Sequence, residues 1–486
     1  MTNRRPNVVM ILTDDHASHS ISAYGSIVNQ TPRIDEIARR GRRFDNCFVT
    51  NALCSPSRAS ILTGTYSHVN GVSTLVTPID ASQPTFVSQL KEAGYRTAMI
   101  GKWHMGHGAG HDPQGFDYWD VLVGHDGQGE YWDPLFLSAD GERTVEGYAT
   151  DIITDLAIDW VESLESDEPW CVLVYHKAPH RPWEPKEPSR YAERRIPLPA
   201  TFDDDYATRS ASARRAAMRL AENLNREDLK TDPPSGLTYE EAAVWKYQRF
   251  MEDYLACVDS VDDNVGRMID WLERRGDFDD TLLMYASDQG FFLGDHGWFD
   301  KRFMYEESLR MPFVLSYPAR LEGGGVFDEI VTNVDMAQTI LDAAGVEHHP
   351  RMQGRSFWPD LVGTPEQPPA AGVYYRYWEH DDIFHKAPAH YGYRTERHKL
   401  IYFYNDGLGI PGTGSFTYPP EWELYDLQSD PEEVRNVYDD PAYAAIREEL
   451  KAAMWVEQHR LGDVPHPSQP VPSLLADGAG ALDPQR

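Results

Sequence analysis

Short apolar runs alternate with helical patterns over the first two thirds of the chain. Residues 7–12 and 170–175 are mostly apolar and contain β-branched side chains, which is typical of strands buried on both faces of a parallel sheet. An amphipathic pattern over residues 239–274 predicts a long helix, and residues 281–286 predict the next strand. Helices that alternate with short buried strands predict an α/β domain with a mostly parallel sheet flanked by helices.

Turn and cap signals add further elements to this domain. Residues 32–40 predict a helix with Thr31 as its N-cap and a proline at its first position. Residues 83–93 predict another helix, and residues 95–100 predict the strand that follows it. Residues 184–238 are polar and irregular, so we expect a surface insertion there.

The composition changes at residues 365–369, which predicts a linker between two domains. We expect a larger N-terminal domain over residues 1–365 and a smaller C-terminal domain over residues 370–486, whose end is an extended tail. The smaller domain is predicted to be an antiparallel sheet with one helix. Its predicted strands and helix are residues 373–378, 391–395, 399–404, 423–427 and 441–459.

Composition excludes several classes of protein. With 486 residues, 41% hydrophobic and 25% charged, the chain can bury a large core and does not resemble a disordered protein. No run approaches the roughly 18 apolar residues of a membrane helix. Because Asp14 and Asp15 interrupt the first apolar run, we expect no signal peptide and a cytoplasmic protein, with export left as an alternative.

The net charge of −32 disfavours binding of nucleic acid and extended polyanions, and it favours small or end-on anionic substrates.

Polar side chains follow each of four predicted strands. Ligands of open α/β sheets bind at the carboxyl ends of the strands, so these side chains predict a site at one sheet edge. They are Asp14 and Asp15, Lys102 and His104, His180, and Asp288 and Gln289. The lysine and histidines also fit ordinary surface positions when each is taken alone.

Asp14, Asp15, Asp288 and Gln289 offer only oxygen ligands, which suit a hard cation such as Ca²⁺ or Mg²⁺. The alternative is that the aspartate pair only caps a strand end.

Cys54 differs from the other cysteines, Cys47, Cys171 and Cys257, which form no metal-ligand or disulfide spacing. It begins the sequence Cys-Ser-Pro-Ser-Arg, which predicts a loop entering a short helix. Near a helix N-terminus a cysteine is expected to be a low-pKa thiol and a candidate nucleophile. A packing or capping role is the alternative.

These residues match a known family. Residues 54–58 fit the C-x-P-x-R signature, and the chain resembles the type I, formylglycine-dependent sulfatases over nearly its whole length. The motifs appear in family order at residues 12–15, 62–64, 101–104, 179–180, 287–290, 294–297, 301 and 305–310. The resemblance implies an alkaline-phosphatase-like fold and hydrolysis of sulfate monoesters to an alcohol and inorganic sulfate.

The resemblance also implies a cofactor and a partner. A maturation enzyme would oxidise Cys54 to formylglycine, and one Ca²⁺, with Mg²⁺ or Mn²⁺ as alternatives, would bind this residue together with Asp14, Asp15, Asp288 and Gln289. Many members carry Asn where this chain has Gln289.

In the catalytic cycle that the family implies, Arg58 orients the aldehyde hydrate, and Lys102 and Lys301 bind sulfate oxygens. One hydroxyl of the hydrate attacks sulfur while His180 protonates the departing alcohol. His104 then deprotonates the second hydroxyl, and sulfate leaves.

The substrate is less clearly indicated. Residues 128–134, 147–155, 390–395 and 421–426 look most like N-acetylglucosamine-6-sulfatases and mucin-desulfating relatives, which implies a small sulfated carbohydrate. Candidate sugar-binding residues are His125, Asp126, His296, His390 and Tyr391, each of which also fits a surface or core position. A generalist arylsulfatase and a phosphonate monoester or phosphodiester hydrolase stay open as alternatives. A non-enzymatic sulfoglycan binder is disfavoured because such a protein needs no pair of proton-transfer groups.

Overall fold

A computed structural model describes residues 5–165 and 168–476 of the chain. Among these residues there are eighteen strands in four sheets. The strands are β1 (Asn7–Thr13), β2 (Arg42–Phe44), β3 (Cys47–Phe48), β4 (Arg96–Lys102), β5 (Tyr118–Leu122), β6 (Leu135–Ser138), β7 (Gly141–Thr144), β8 (Trp170–Tyr175), β9 (Thr281–Ser287), β10 (Phe292–Leu293), β11 (Phe299–Asp300), β12 (Phe313–Ser316), β13 (Gly325–Phe327), β14 (Val331–Thr332), β15 (Val373–Tyr377), β16 (His390–Arg394), β17 (His398–Phe403) and β18 (Glu421–Asp426).

The helices of the described residues range from single turns to one long helix across the sheet. They are α1 (Pro32–Arg40), α2 (Cys54–Thr63), α3 (Ser67–Asn70), α4 (Phe86–Glu92), α5 (Gly124–Gly127), α6 (Ala149–Glu162), α7 (Ala211–Arg215), α8 (Leu220–Asn223), α9 (Arg226–Leu229), α10 (Tyr239–Arg275), α11 (Glu306–Leu309), α12 (Met336–Ala344), α13 (Trp358–Leu361), α14 (Ala444–Leu461) and α15 (Ser473–Ala476).

The large sheet has ten strands in the order β13-β2-β12-β9-β1-β8-β4-β5-β6-β7. Its five central strands, β9, β1, β8, β4 and β5, are parallel, and Val8 of β1 pairs with both Cys171 of β8 and Leu282 of β9. The side chains of β1, β8 and β9 are buried along their whole length, because helices cover both faces. This confirms the predicted α/β class. The antiparallel strands β12, β6 and β7 were not predicted.

Helix α1 is capped from outside its own sequence. Thr31 stands at the predicted N-cap position, before a proline at the first helical position, but its side chain makes no capping bond with the described residues. Instead, the carboxylate of Asp262 in α10 accepts the backbone N–H of Arg33 at 3.0 Å and of Ile34 at 2.9 Å. The first-turn donors of α1 are therefore satisfied by a residue of the helix that packs against it.

The segment predicted as a surface insertion contributes to the core. Residues 184–238 contain the single-turn helices α7, α8 and α9, but Tyr191 is fully buried and Leu220 and Leu229 are each 1% exposed. They pack in the same cluster as Phe250 of α10. These contacts could not be predicted from the sequence. The segment is polar overall, and its buried side chains are isolated along the chain and follow no helical or strand period.

The C-terminal part forms the predicted antiparallel sheet with a helix. Strands β15 to β18 pair in sequence order, and α14 packs on them through residues such as Leu450 and Met454. The large sheet lies wholly before residue 365 and this sheet wholly after residue 370. Residues 477–486 of the predicted tail lie outside the described residues. Within the described ranges, no helix is both long and apolar enough to cross a membrane.

Candidate active site

The carboxyl ends of β1 and β9 place four oxygen-bearing side chains together. The two strands are paired up to Thr13 and Ser287, so the residues that follow them are neighbours. Asp14, Asp15, Asp288 and Gln289 are fully buried, and one carboxylate oxygen from each aspartate lies within 4.8 Å of the others. The backbone N–H of Asp15 donates to Asp288 Oδ1 at 3.4 Å.

Asp14, Asp15 and Asp288, with Gln289 beside them, are called the acidic group below. Cys54 is the first residue of α2 and faces this acidic group. Its Sγ lies 3.3 Å from Asp14 Oδ1 and 3.8 Å from Gln289 Nε2. The low-pKa thiol expected from the helix N-terminus was wrong: burial, with a further contribution from Asp14, raises the pKa of Cys54 well above its usual value. As an unmodified thiol, Cys54 is therefore a poor nucleophile near neutral pH.

Three cationic side chains balance the three aspartates. Arg58 follows Cys54 by one helical turn, so it lies on the same face of α2. Its Nε donates to Asp288 Oδ2 at 2.9 Å and its Nη2 to Asp14 Oδ2 at 3.3 Å. The Nζ of Lys102, at the end of β4, contacts Asp14 Oδ2. These side chains have no solvent-exposed surface.

Lys301 completes this set of cations. Its Nζ donates to Asp15 Oδ2 at 2.8 Å, and its side chain is 3% exposed.

The acidic group has the properties of a cation site. Burial raises the pKa of Asp15 to about 7 and that of Asp288 to about 6, and the neighbouring carboxylate of Asp14 adds to both shifts. Gln289 donates from Nε2 to Asp15 Oδ1 at 2.7 Å, and its Oε1 is buried without a hydrogen-bond partner among the described residues. Crowded carboxylates and an unpaired amide oxygen are the donor set that a hard divalent cation takes.

Two histidines border the same centre. His180 Nε2 lies 3.6 Å from Asp15 Oδ2, while its Nδ1 lies 2.6 Å from the Arg181 carbonyl oxygen. That contact requires the proton on Nδ1, so Nε2 of a neutral His180 carries the free lone pair. The Nδ1 of His104 is buried, and no residue in the described part of the chain forms a hydrogen bond with it. Burial, and then the positive charge of Lys102, hold the pKa of both imidazoles well below the usual value.

Sequence reasoning missed two polar residues around Lys102. The side-chain oxygen of Gln128, just after α5, accepts a hydrogen bond from Lys102 Nζ. Lys177, after β8, is 3% exposed; its Nζ donates to the Arg181 carbonyl at 3.2 Å and lies 5.1 Å from the Tyr131 ring centroid. Burial and the nearby Lys102 lower the pKa of Lys177 to about 8. The only available sequence signal was position, since each lies close to a residue of the predicted site.

The candidate sugar-binding residues lie in two different settings. His125 and Asp126 are exposed on the turn beside Gln128. In contrast, His296, His390 and Tyr391 are fully buried, which fits the alternative of core positions.

Their contacts are those of core residues. His296 Nδ1 lies 2.9 Å from Asp204 Oδ2, and the Tyr391 hydroxyl bonds to Gln469. The His390 ring stacks 5.6 Å from that of Phe303. Their described contacts are therefore hydrophobic neighbours and internal hydrogen bonds.

Comparison with known proteins agrees with this geometry. The sulfatase family model matches residues 6–346. The chain belongs to the sulfatase family. A second model, described as N-sulphoglucosamine sulphohydrolase, C-terminal, matches residues 294–460 of this sulfatase. An N-acetylglucosamine-6-O-sulfatase of Bacteroides thetaiotaomicron is 40% identical over 505 residues, covering 95% of this chain and 87% of that protein.

Two solved structures extend the comparison. One, of a protein in complex with its substrate D-glucosamine-2-N,6-O-disulfate, aligns with a TM-score of 0.86 and 40% identity, covering 94% of this sulfatase and 98% of that chain. The other is a phosphonate monoester hydrolase of Agrobacterium radiobacter, with a TM-score of 0.74 and 21% identity over 94% of this chain and 96% of that one. At that identity the second likeness shows a shared fold only.

Proposed function

We propose that this sulfatase hydrolyses the 6-O-sulfate ester of a glucosamine residue in a small or terminal carbohydrate. The similarity to an N-acetylglucosamine-6-O-sulfatase and to a protein bound to D-glucosamine-2-N,6-O-disulfate supports the sugar and the sulfated position. The observation that carries the reaction class is the position of Cys54 Sγ, 3.3 Å from Asp14 in a buried group of carboxylates and ammonium groups.

The site requires two additions that match its chemistry. Conversion of Cys54 to formylglycine by a maturation enzyme would supply a hydrated aldehyde in place of the poorly nucleophilic thiol. A divalent cation held by Asp14, Asp15, Asp288 and Gln289 would supply positive charge where a sulfate oxygen binds. The unpaired Oε1 of Gln289 and the crowded aspartates support this choice of residues.

The remaining side chains have separate roles. Lys102 and Lys301 bind sulfate oxygens, and Arg58 fixes the carboxylates beside Cys54. His180 borders the centre with Nδ1 held by the Arg181 carbonyl and Nε2 3.6 Å from Asp15 Oδ2, so it is placed to donate a proton from Nε2 to the departing sugar oxygen once Nε2 is protonated. His104, whose Nδ1 has no partner within residues 5–165 and 168–476, is suited to accept a proton from the modified residue 54.

Charge explains why an anionic ester binds here. The three aspartates and the three cations, Arg58, Lys102 and Lys301, cancel when all are ionised. A divalent cation then leaves the centre positive, and a buried positive centre attracts the developing negative charge of the transition state strongly.

The first experiment measures sulfate release from N-acetylglucosamine-6-sulfate, using protein whose residue 54 is shown by mass spectrometry to be the aldehyde. We expect rapid release by the wild type and no turnover by Cys54→Ala. That variant should fold, because the hydrogen bonds that the thiol makes with described residues are long, at 3.3 Å to Asp14 and 3.8 Å to Gln289. Near-wild-type activity in Cys54→Ala refutes the nucleophile.

Matched 4-nitrophenyl sulfate and bis-4-nitrophenyl phosphate separate the alternatives. A higher kcat/KM for the aryl sulfate than for the sugar ester would reassign this protein as an arylsulfatase. A higher value for the phosphodiester would reject sulfate ester hydrolysis as its main activity.

A further inference from the structure

Two residues with unusual backbone conformation flank Lys301. Asp300 has a φ of 81° and Arg302 a φ of 89°, in the left-handed region that residues with side chains rarely adopt. Such backbone persists only where surrounding contacts fix it, and it is concentrated at functional sites. The contacts of Asp300 and Arg302 therefore control where the intervening Lys301 lies.

Contacts to Arg302 come from the C-terminal sheet and from the segment after β15. Its Nη1 donates to the Tyr377 hydroxyl and to Glu379 Oε1, both at 3.0 Å, and lies 3.7 Å from Asp382 Oδ2. The Tyr375 hydroxyl donates to the Arg302 carbonyl at 2.5 Å. The Arg302 side chain is 3% exposed, so these interactions are largely shielded from water.

Asp300 is bound by the same segment. Its Oδ1 accepts the backbone N–H of Lys301 at 2.8 Å and Arg302 Nε at 3.0 Å, while its Oδ2 lies 3.3 Å from His385 Nε2. The Nδ1 of His385 lies 3.1 Å from Asp382 Oδ1. Residues on both sides of Lys301 are thus joined to one continuous stretch of the C-terminal part.

That stretch is itself fixed to the N-terminal part. Glu379 Oε2 accepts the backbone N–H of Leu75 at 2.7 Å, and the His385 carbonyl accepts the N–H of Ala217 at 2.6 Å. Residues 379–385 therefore contact the N-terminal part at both of their ends and, between these ends, at Asp300 and Arg302.

We infer that Glu379, Asp382 and His385 are positioning residues that hold Lys301 in place for sulfate binding. The inference rests on the proposed function, since it takes Lys301 to bind a sulfate oxygen. None of the three needs to touch the substrate, because they act through Asp300 and Arg302. The C-terminal part then completes the anion site in addition to covering the sheet.

The test compares inorganic sulfate binding in Glu379→Gln, Asp382→Asn and the control Asp463→Asn by isothermal titration calorimetry. Glu379→Gln removes the charge and keeps an oxygen for the Leu75 N–H. In the same C-terminal part, Asp463 pairs with Arg376 at 2.6 Å, and their side chains are 3% and 6% exposed. This control pair is therefore about as buried as the pair of Glu379 and Arg302.

We expect sulfate affinity to fall about tenfold in Glu379→Gln and Asp382→Asn, as for loss of a hydrogen bond to a charged group, and to stay unchanged in Asp463→Asn. In a Lys301→Met background, adding Glu379→Gln should cause no further loss of sulfate affinity. Both changes remove the same interaction, that between Lys301 and sulfate. A purely structural role would instead lower the melting temperature without this coupling.

Two results would overturn the inference. One is wild-type sulfate affinity in folded Glu379→Gln, and the other is additive losses in the double variant. If Glu379→Gln does not fold, Asp382→Asn decides the question by the same two measurements, because its contact with Arg302 is longer at 3.7 Å. The wild type could bind sulfate with an affinity that depends on Glu379 and Asp382, yet release no sulfate from the sugar ester. That result would reject only the proposed substrate.

Discussion

Replacement of Arg58 by Met should destabilise the protein and strengthen its response to divalent cations. Arg58 is fully buried and donates to Asp288 at 2.9 Å, to Asp14 at 3.3 Å and to the Lys102 carbonyl at 2.8 Å. Methionine fills similar space but supplies no charge and no donors. Two buried carboxylates then lose a cationic partner, which leaves the acidic group more negative.

The size of the effect follows from these contacts. Removing one partner of a buried ion pair costs about 3–5 kcal/mol. At about 2.1 cal/mol/K per residue, a chain of this length unfolds with an entropy of about 1 kcal/mol/K, so the melting temperature should fall by about 3–5 °C. A cation at 100 times its Kd returns about 2.7 kcal/mol. At equal Ca²⁺ concentration this stabilisation should be larger in the variant, because Arg58 no longer repels the cation and the Kd is lower.

The assay is thermal melting followed by tryptophan fluorescence, in EDTA and in increasing Ca²⁺. Arg376→Met is the matched control, since it also breaks a buried arginine–aspartate pair, at 2.6 Å from Asp463, but lies outside the cation site. It should lose stability with a wild-type response to Ca²⁺. If all three proteins gain the same number of degrees from Ca²⁺, the proposed sharing of Asp14 and Asp288 between Arg58 and a cation is refuted.

Two further predictions concern single contacts. Gln128→Ala should lower kcat/KM for the sulfate ester about tenfold, because Lys102 Nζ loses its amide acceptor; unchanged kinetics would exclude a role for the turn. Asp262→Asn should become more stable relative to the wild type as pH rises, since burial raises the pKa of Asp262 to about 7. Above the unfolded value of about 3.9, the folded wild type holds a proton that the unfolded chain releases, so its stability falls up to pH 7. A constant difference in melting temperature between pH 5 and pH 8 would contradict this.

The central strands were predictable because their burial on both faces requires a continuous apolar run in the sequence. Strand β8 was predicted with its observed bounds, and β1 and β9 within one residue, since strands covered on both faces must be apolar throughout. The edge hairpin of β6 and β7 carries no such mark: all four residues of β7 are exposed. Its position depends on pairing with β5 rather than on periodicity.

The site residues also divide into those that a sequence pattern indicates and those whose place depends on packing. Asp14, Lys102 and Asp288 were predictable because each lies at the carboxyl end of a recognisable strand, and the fold brings such ends together. Gln128 and Glu379 were not, because their contacts with Lys102 and Arg302 depend on how irregular segments pack. Likewise, no local pattern indicates that Asp262 caps a helix 229 positions away.

The acidic surface and the cationic site are compatible because they act over different distances. A net charge of −32 repels an approaching anion, but at physiological ionic strength this repulsion is screened over about 8 Å. The ammonium groups of Lys102 and Lys301 are buried, where water and salt screen them far less. A terminal 6-O-sulfate presents a single charged group to these lysines, whereas a long polysulfated chain would keep many charges against the acidic surface. The charge distribution therefore favours end-on binding of one sulfated sugar.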